Sequence, residues 1–143
     1  MSKVLVVDDD PLVTGLVKIN LELEGFEVEE AWGGEEALQL IEERAPDLVL
    51  LDVMMPELDG WDVLGMLRSD PATRDLPVVL LTAKVQERDV AKGWQMGADG
   101  YITKPFNPLE MVDRLKAVLA MTGNQRLAQR REATSRYGDS IGA

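Results

Sequence analysis

Residues 48–60, Leu-Val-Leu-Leu-Asp-Val-Met-Met-Pro-Glu-Leu-Asp-Gly, decide the fold. Four large aliphatic residues in unbroken succession read as a strand covered on both faces, since a half-exposed strand would alternate. That strand, placed at Asp47 to Asp52, ends in a carboxylate, and a helical stretch from Leu58 to Ser69 follows it. Val4-Leu5-Val6-Val7 and Val78-Val79-Leu80-Leu81 are two more runs of the same kind.

Working outward, helical stretches separate the strands. Asp10-Pro11 opens the first helix, with Asp10 as N-cap and Pro11 at the first helical position. Leu12, Leu16, Ile19 and Leu23 recur at spacings of four, three and four on one helix face, and Gly25 is a stop. Phe26 to Ala31 reads as a strand and Gly34 to Arg44 as a helix ending before Pro46, with Gly33-Gly34 as a turn. Pro77 to Thr82 is the fourth strand, Gln86 to Met96 the fourth helix, Asp99 to Thr103 the fifth strand and Pro108 to Met121 the last helix. Strict alternation over five units predicts an α/β, doubly wound fold: a five-stranded parallel sheet with right-handed crossovers and five helices on its two faces. The flavodoxin-like strand order 2-1-3-4-5 suits five units best.

The length of 143 residues suits one domain, and no apolar run approaches the roughly 18 residues of a membrane span. The reading is a cytoplasmic protein with no membrane association. A formal charge of −11 argues against direct binding to nucleic acid. Residues 1–121 carry 11 basic and 24 acidic side chains, a net of −13, and residues 122–143 carry four and two. The segment 122–143 is thus a polar, mildly basic tail, expected to be disordered or to extend the last helix. The chain has no histidine and no cysteine, so any histidine chemistry must come from a partner.

Ligands of open α/β sheets bind beyond the carboxyl ends of the strands. Those ends carry Asp8-Asp9-Asp10, Asp52, Thr82 and, after the fifth strand, Lys104-Pro105. Alone, the acidic run reads as a capping turn, Thr82 as a turn hydroxyl and Lys104 as a solvated loop cation. Their joint placement at one sheet edge reverses this. Carboxylates brought to about 4 Å repel by about 1–4 kcal/mol per pair, a cost that a hard cation removes. Oxygen-only ligands point to Mg²⁺. A carboxylate beside such a cation, an ammonium and a hydroxyl is equipped to attack phosphorus, giving an aspartyl phosphate.

Four segments then carry a resemblance: residues 4–10 (Val-Leu-Val-Val-Asp-Asp-Asp), 52–60, 81–83 (Leu-Thr-Ala) and 100–106 (Gly-Tyr-Ile-Thr-Lys-Pro-Phe). In order and spacing they resemble the signature segments of bacterial two-component receiver domains, over residues 3–121. The resemblance implies that Asp52 is the phosphoacceptor and that Asp9 is a direct metal ligand, with Asp8 acting mainly through water. It implies that Met54 lends the metal its backbone carbonyl and that Thr82 is the switch hydroxyl, with the Ala83 amide beside it. Lys104 becomes the phosphoryl-binding cation on a cis Lys104-Pro105 peptide, and Tyr101 the aromatic that swings inward. Asp10 stays a cap. Trp61 and Trp94 read as packing residues, Met55 as core and Met54 as a side chain on the site rim.

The function implied is a signalling switch catalysing only its own Mg²⁺-dependent phosphorylation and dephosphorylation. The donor would be a histidine kinase or histidine phosphotransfer protein, and the surface of helix four, strand five and helix five would control a downstream protein. A stand-alone regulator similar to the chemotaxis receivers fits, as a monomer or a weak phosphorylation-dependent dimer. Lys92, Asp99, Glu110 and Arg114 match part of the charge ladder by which transcription-factor receivers pair, but Val90 and Gly100 interrupt it. A haloacid-dehalogenase-type phosphatase uses the same groups. Its nucleophile, however, opens an Asp-x-Asp-x-Thr segment on the first strand, and Asp8 to Leu12 lacks that hydroxyl. A degenerate receiver would have lost acid-pocket residues that remain here.

Overall fold

The computed structural model describes residues 2–83 and 86–141, with side chains as far as Ser135. The chain forms β1 (Lys3–Val7), α1 (Pro11–Leu23), β2 (Glu27–Ala31), α2 (Gly34–Arg44), β3 (Leu48–Leu51) and α3 (Gly60–Ser69). There follow β4 (Val78–Thr82), α4 (Glu87–Gln95), β5 (Gly100–Thr103), α5 (Pro108–Ala120) and α6 (Gly123–Ile141). All strand pairings are parallel and the order is β2-β1-β3-β4-β5. The expected fold holds, with one more helix than expected.

The unbroken apolar runs have the cause inferred for them. Alternate strand residues face opposite sides of the sheet. Leu5, Val7, Val49, Leu51, Val78 and Leu80 pack with Ile41 of α2 and Val63, Leu64 and Leu67 of α3. Val4, Val6, Leu48, Leu50, Val79 and Leu81 pack with Val17 and Leu21 of α1 and Met111, Leu115 and Val118 of α5. A strand buried on both sides has no room for a polar alternate until it emerges at its carboxyl end, which is where the acids begin.

Helix α1 turns a different side inward from the one its strongest repeat marks. Val17, Leu21 and Thr14 are buried, whereas Leu12 (81% exposed), Leu16, Ile19 and Leu23 (80%) face outward. The helix carries two apolar stripes, and the sheet takes the one at spacing four, Val13-Val17-Leu21. Buried Thr14 is satisfied by donating to the Pro11 carbonyl and accepting from Trp32 Nε1 at 3.1 Å.

Segment 122–143 departs from the expectation of a disordered tail or a prolonged last helix. Met121 is extended (ψ 144°), so α5 ends there. The Thr122 hydroxyl then accepts from the Gln125 amide while the Gln125 side chain accepts from the Thr122 amide, a capping box that starts α6 afresh. Helix α6 packs on α4. Residues 142–143 of the segment lie outside the described residues.

Candidate functional site

Each site residue is delivered by the end of a strand. The Asp8 amide bonds the Ala31 carbonyl and the Asp52 amide the Val7 carbonyl, which extends the β2-β1-β3 ladder by one rung and fixes both acids side by side. Thr82 closes β4, and its carbonyl accepts from the Lys104 amide at 2.9 Å. The Lys104–Pro105 peptide is cis, as the resemblance implied.

The loop after Asp52 is held by α3. Asp59 caps that helix by a reciprocal box with Asp62. Gly60 then comes so close to the strand end that a Cβ there would collide with the Asp52 carbonyl and lie 2.6 Å from Val53 Cα. The Asp-Gly pair closing residues 52–60 is thus one cap and one close approach, and together they pin the loop after Asp52 against α3.

Asp8 and Asp52 are buried, Asp9 is exposed, and their carboxylate oxygens lie within 4.8 Å of one another. Lys104 Nζ is 2.6 Å from Asp8 Oδ2 and 3.3 Å from Asp52 Oδ2. Asp8 Oδ1 accepts from the Asp10 amide at 2.9 Å and Asp52 Oδ1 from the Met54 amide at 3.1 Å. Burial, then the charge of Asp8, pushes the Asp52 carboxyl up to about 6, against the pull of the Met54 amide and Lys104. Burial works against the Lys104 ammonium, but its bond to Asp8 and the Asp52 and Asp8 charges outweigh burial and hold it above the usual lysine range.

The residues fit a divalent cation. One lysine faces two buried acids and an exposed third, so the cluster carries surplus negative charge. All the side-chain ligands are oxygens, and the lip is open beside Asp9, Met54 and Pro56. Asp8, Asp9 and Asp52 are the residues that could hold Mg²⁺.

Thr82 is fully buried at the same edge and Ala83, next to it, is exposed. Tyr101 is half-buried against α4: a Cβ at Gly93 would lie 3.2 Å from its ring. Burial and the charge of Asp89 push its phenol up to about 12. Asp10 caps α1, accepting from the Leu12 amide at 2.9 Å. Met55 is core, and Met54 is exposed on the rim.

Asp99 differs from its reading as a surface charge. Its side chain is fully buried, held by Arg68 at 3.1 Å, by Arg130 at 2.7 Å and by the Val78 amide at 3.0 Å. It cannot serve a surface ladder. Lys92, another supposed member, lies over the Trp61 ring at 4.5 Å. Sequence reading missed Arg68 and Arg130 altogether, because their partner lies 31 residues away on another element; the Thr122-to-Gln125 cap signature was the one local clue.

Comparison with known proteins agrees with this geometry. Residues 4–116 match the family model described as the response regulator receiver domain. The chain is 44% identical over 122 residues to the DNA-binding dual master transcriptional regulator RpaA of Synechocystis, covering 85% of this chain and 51% of that protein. It spans about half the length of the curated relatives it matches. Among solved structures, the receiver domain of Francisella response regulator 1452 superposes with a TM-score of 0.78 at 35% identity, covering 83% of this chain and 97% of that one. The Vibrio cholerae chemotaxis protein CheY4 gives 0.78 at 33%, covering 82% and 98%.

Proposed function

The chain belongs to the response regulator receiver domain family, and on that premise we propose that it is a phosphorylation switch whose acceptor is Asp52. One observation carries the reading: Asp8, Asp9 and Asp52 gather within 4.8 Å of one another at one sheet edge, and Lys104 bonds the two buried ones.

The donor is a histidine kinase or a histidine phosphotransfer protein, since this chain has no histidine to phosphorylate. An Asp52 carboxylate oxygen attacks phosphorus, the new O–P bond forms as the donor's N–P bond breaks, and the imidazole leaves with the bonding pair and takes up a proton. Bound Mg²⁺ supplies charge neutralisation of the equatorial oxygens and orients the phosphoryl group. Lys104 turns its ammonium from the carboxylates to a phosphoryl oxygen. The Met54 amide keeps Asp52 aligned, and the Met54 carbonyl would join Asp8, Asp9 and Asp52 in holding the metal. Burial of Asp8 and Asp52 strips competing water from the acceptor, which strengthens these charge contacts.

The Thr82 hydroxyl then bonds a phosphoryl oxygen with the Ala83 amide beside it, and Tyr101 moves into the space Thr82 leaves. That biases α4, β5 and α5 between two arrangements and alters the surface offered to a downstream protein. The chain is a signalling module that turns over only its own phosphoryl group. Phosphoryl transfer to wild type but not to Asp52→Ala is the test.

A further inference from the structure

Helix α6 makes with α4 the most extensive contact between any two elements among the described residues. Few of its residues are apolar, and its arginines bond to Asp99 and Asp75 beside α4 rather than to α4 itself. Arg126 and Arg130, both partly buried, face a body whose residues 1–121 carry a net −13. Arg130 grips Asp99 with both ends of its guanidinium, at 2.7 and 3.0 Å, and its own side chain is only 14% exposed. Arg126 donates to the carbonyls of Met121 at 2.8 Å and Asp75 at 3.3 Å. Further along α6, Leu127 and Thr134 share a groove with Trp94 and Met96 at the end of α4.

Asp99 is itself a fixed point. Arg68 of α3 and the Val78 amide of β4 hold it from two other elements. It stands two residues before Tyr101, whose ring rests on Gly93, and Gly93 precedes Trp94. So α6 joins a residue held by α3 and β4 at the head of β5 to the last turn of the helix that Tyr101 supports.

We propose that α6 is an internal ligand of the α4–β5 surface: a strap that favours the arrangement in which Lys104 bridges Asp8 and Asp52, and that loosens when Asp52 is phosphorylated. The coupling rests on the receiver reading above. When Tyr101 moves inward, Gly93 loses the ring beside it, which now fills the space a side chain at Gly93 would need. Helix α4 cannot follow without shifting Trp94 against Leu127 while Arg130 stays tied to Asp99. A strap that spans a moving and a fixed element fits one of their two arrangements better. By linkage, what phosphorylation loosens must, when loosened otherwise, favour phosphorylation. The face that α6 vacates on α4 becomes available to a partner.

The full chain tests this, as wild type, Arg130→Ala and Leu127→Asp. Leu127 is partly exposed, so its substitution disturbs the groove without burying a charge in the core. Amide exchange over residues 123–141 and affinity for beryllofluoride with Mg²⁺ are measured, with Asp52 labelling by acetyl phosphate in parallel. Saturating beryllofluoride should speed α6 exchange in wild type several-fold. Both variants should exchange faster without it and bind it about five-fold tighter. Labelling of Asp52 with α6 exchange unchanged, and equal beryllofluoride affinity in all three proteins, would overturn the strap alone. No labelling of Asp52 would remove the receiver reading and the coupling together.

Discussion

Lys104 sits closer to Asp8 than to Asp52, the proposed acceptor, at 2.6 against 3.3 Å. The ammonium thus neutralises Asp8 at least as much as it attends Asp52, with a third N–H left to donate. A divalent cation held by Asp8, Asp9 and Asp52 would take over part of that charge. On the proposed reading, metal and phosphoryl group would both draw Lys104 away from Asp8.

Millimolar Mg²⁺ should raise the thermal midpoint through preferential binding to the folded chain. Asp9→Asn should weaken that response and, by relieving like-charge repulsion, stabilise the metal-free protein by about 1 kcal/mol or less. Thermal unfolding with and without Mg²⁺ reads both. An intact Mg²⁺ response together with lower metal-free stability in the variant would sink the acid-pocket assignment.

The pH dependence has a definite sign. The folded pKa of Asp52, about 6, lies above its ordinary value of 3.8. The folded state therefore holds the proton more tightly, and this contribution to stability is full below about pH 4 and lost as pH rises through about 6. In metal-free protein, Asp52→Asn should stabilise by up to about 2 kcal/mol at pH 7 and by little at pH 4. Denaturant unfolding at the two pH values measures it; a larger gain at pH 4 would mean that Asp52 is not held up by burial and Asp8.

Thr82→Ala should still take label but fail to pass it on, whereas Lys104→Ala should be impaired in both. Amide exchange over residues 86–104, with and without beryllofluoride, separates them. Equal changes in wild type and Thr82→Ala would remove the hydroxyl from the coupling and leave the phosphorylation chemistry untouched.

The outward face of α1 makes a stability contrast. Leu21→Ala, which empties buried space, should cost about 2–5 kcal/mol, and Ile19→Ala, on the exposed stripe, no more than about 0.5 kcal/mol. Urea unfolding decides; comparable losses would place both residues in the core.

That contrast marks where sequence reading reaches its limit. The sheet was legible because burial on both faces leaves unbroken runs such as Leu48 to Leu51, and the pocket because Asp8, Asp52 and Thr82 sit where those runs end. Which stripe of α1 turns inward was not legible, since Leu12-Leu16-Ile19-Leu23 and Val13-Val17-Leu21 both have helical spacing and only the neighbouring elements choose. Helix α6 escaped for a related reason. Its hold on the body is an ion pair between Arg130 and a buried Asp99, and no periodicity announces a charge whose partner lies on another element.

Intact-mass analysis after incubation with acetyl phosphate and Mg²⁺ tests the assignment of Asp52 most directly. Wild type should gain one phosphoryl group and Asp52→Ala none. Labelling of Asp52→Ala at another residue, at the wild-type rate, would contradict it.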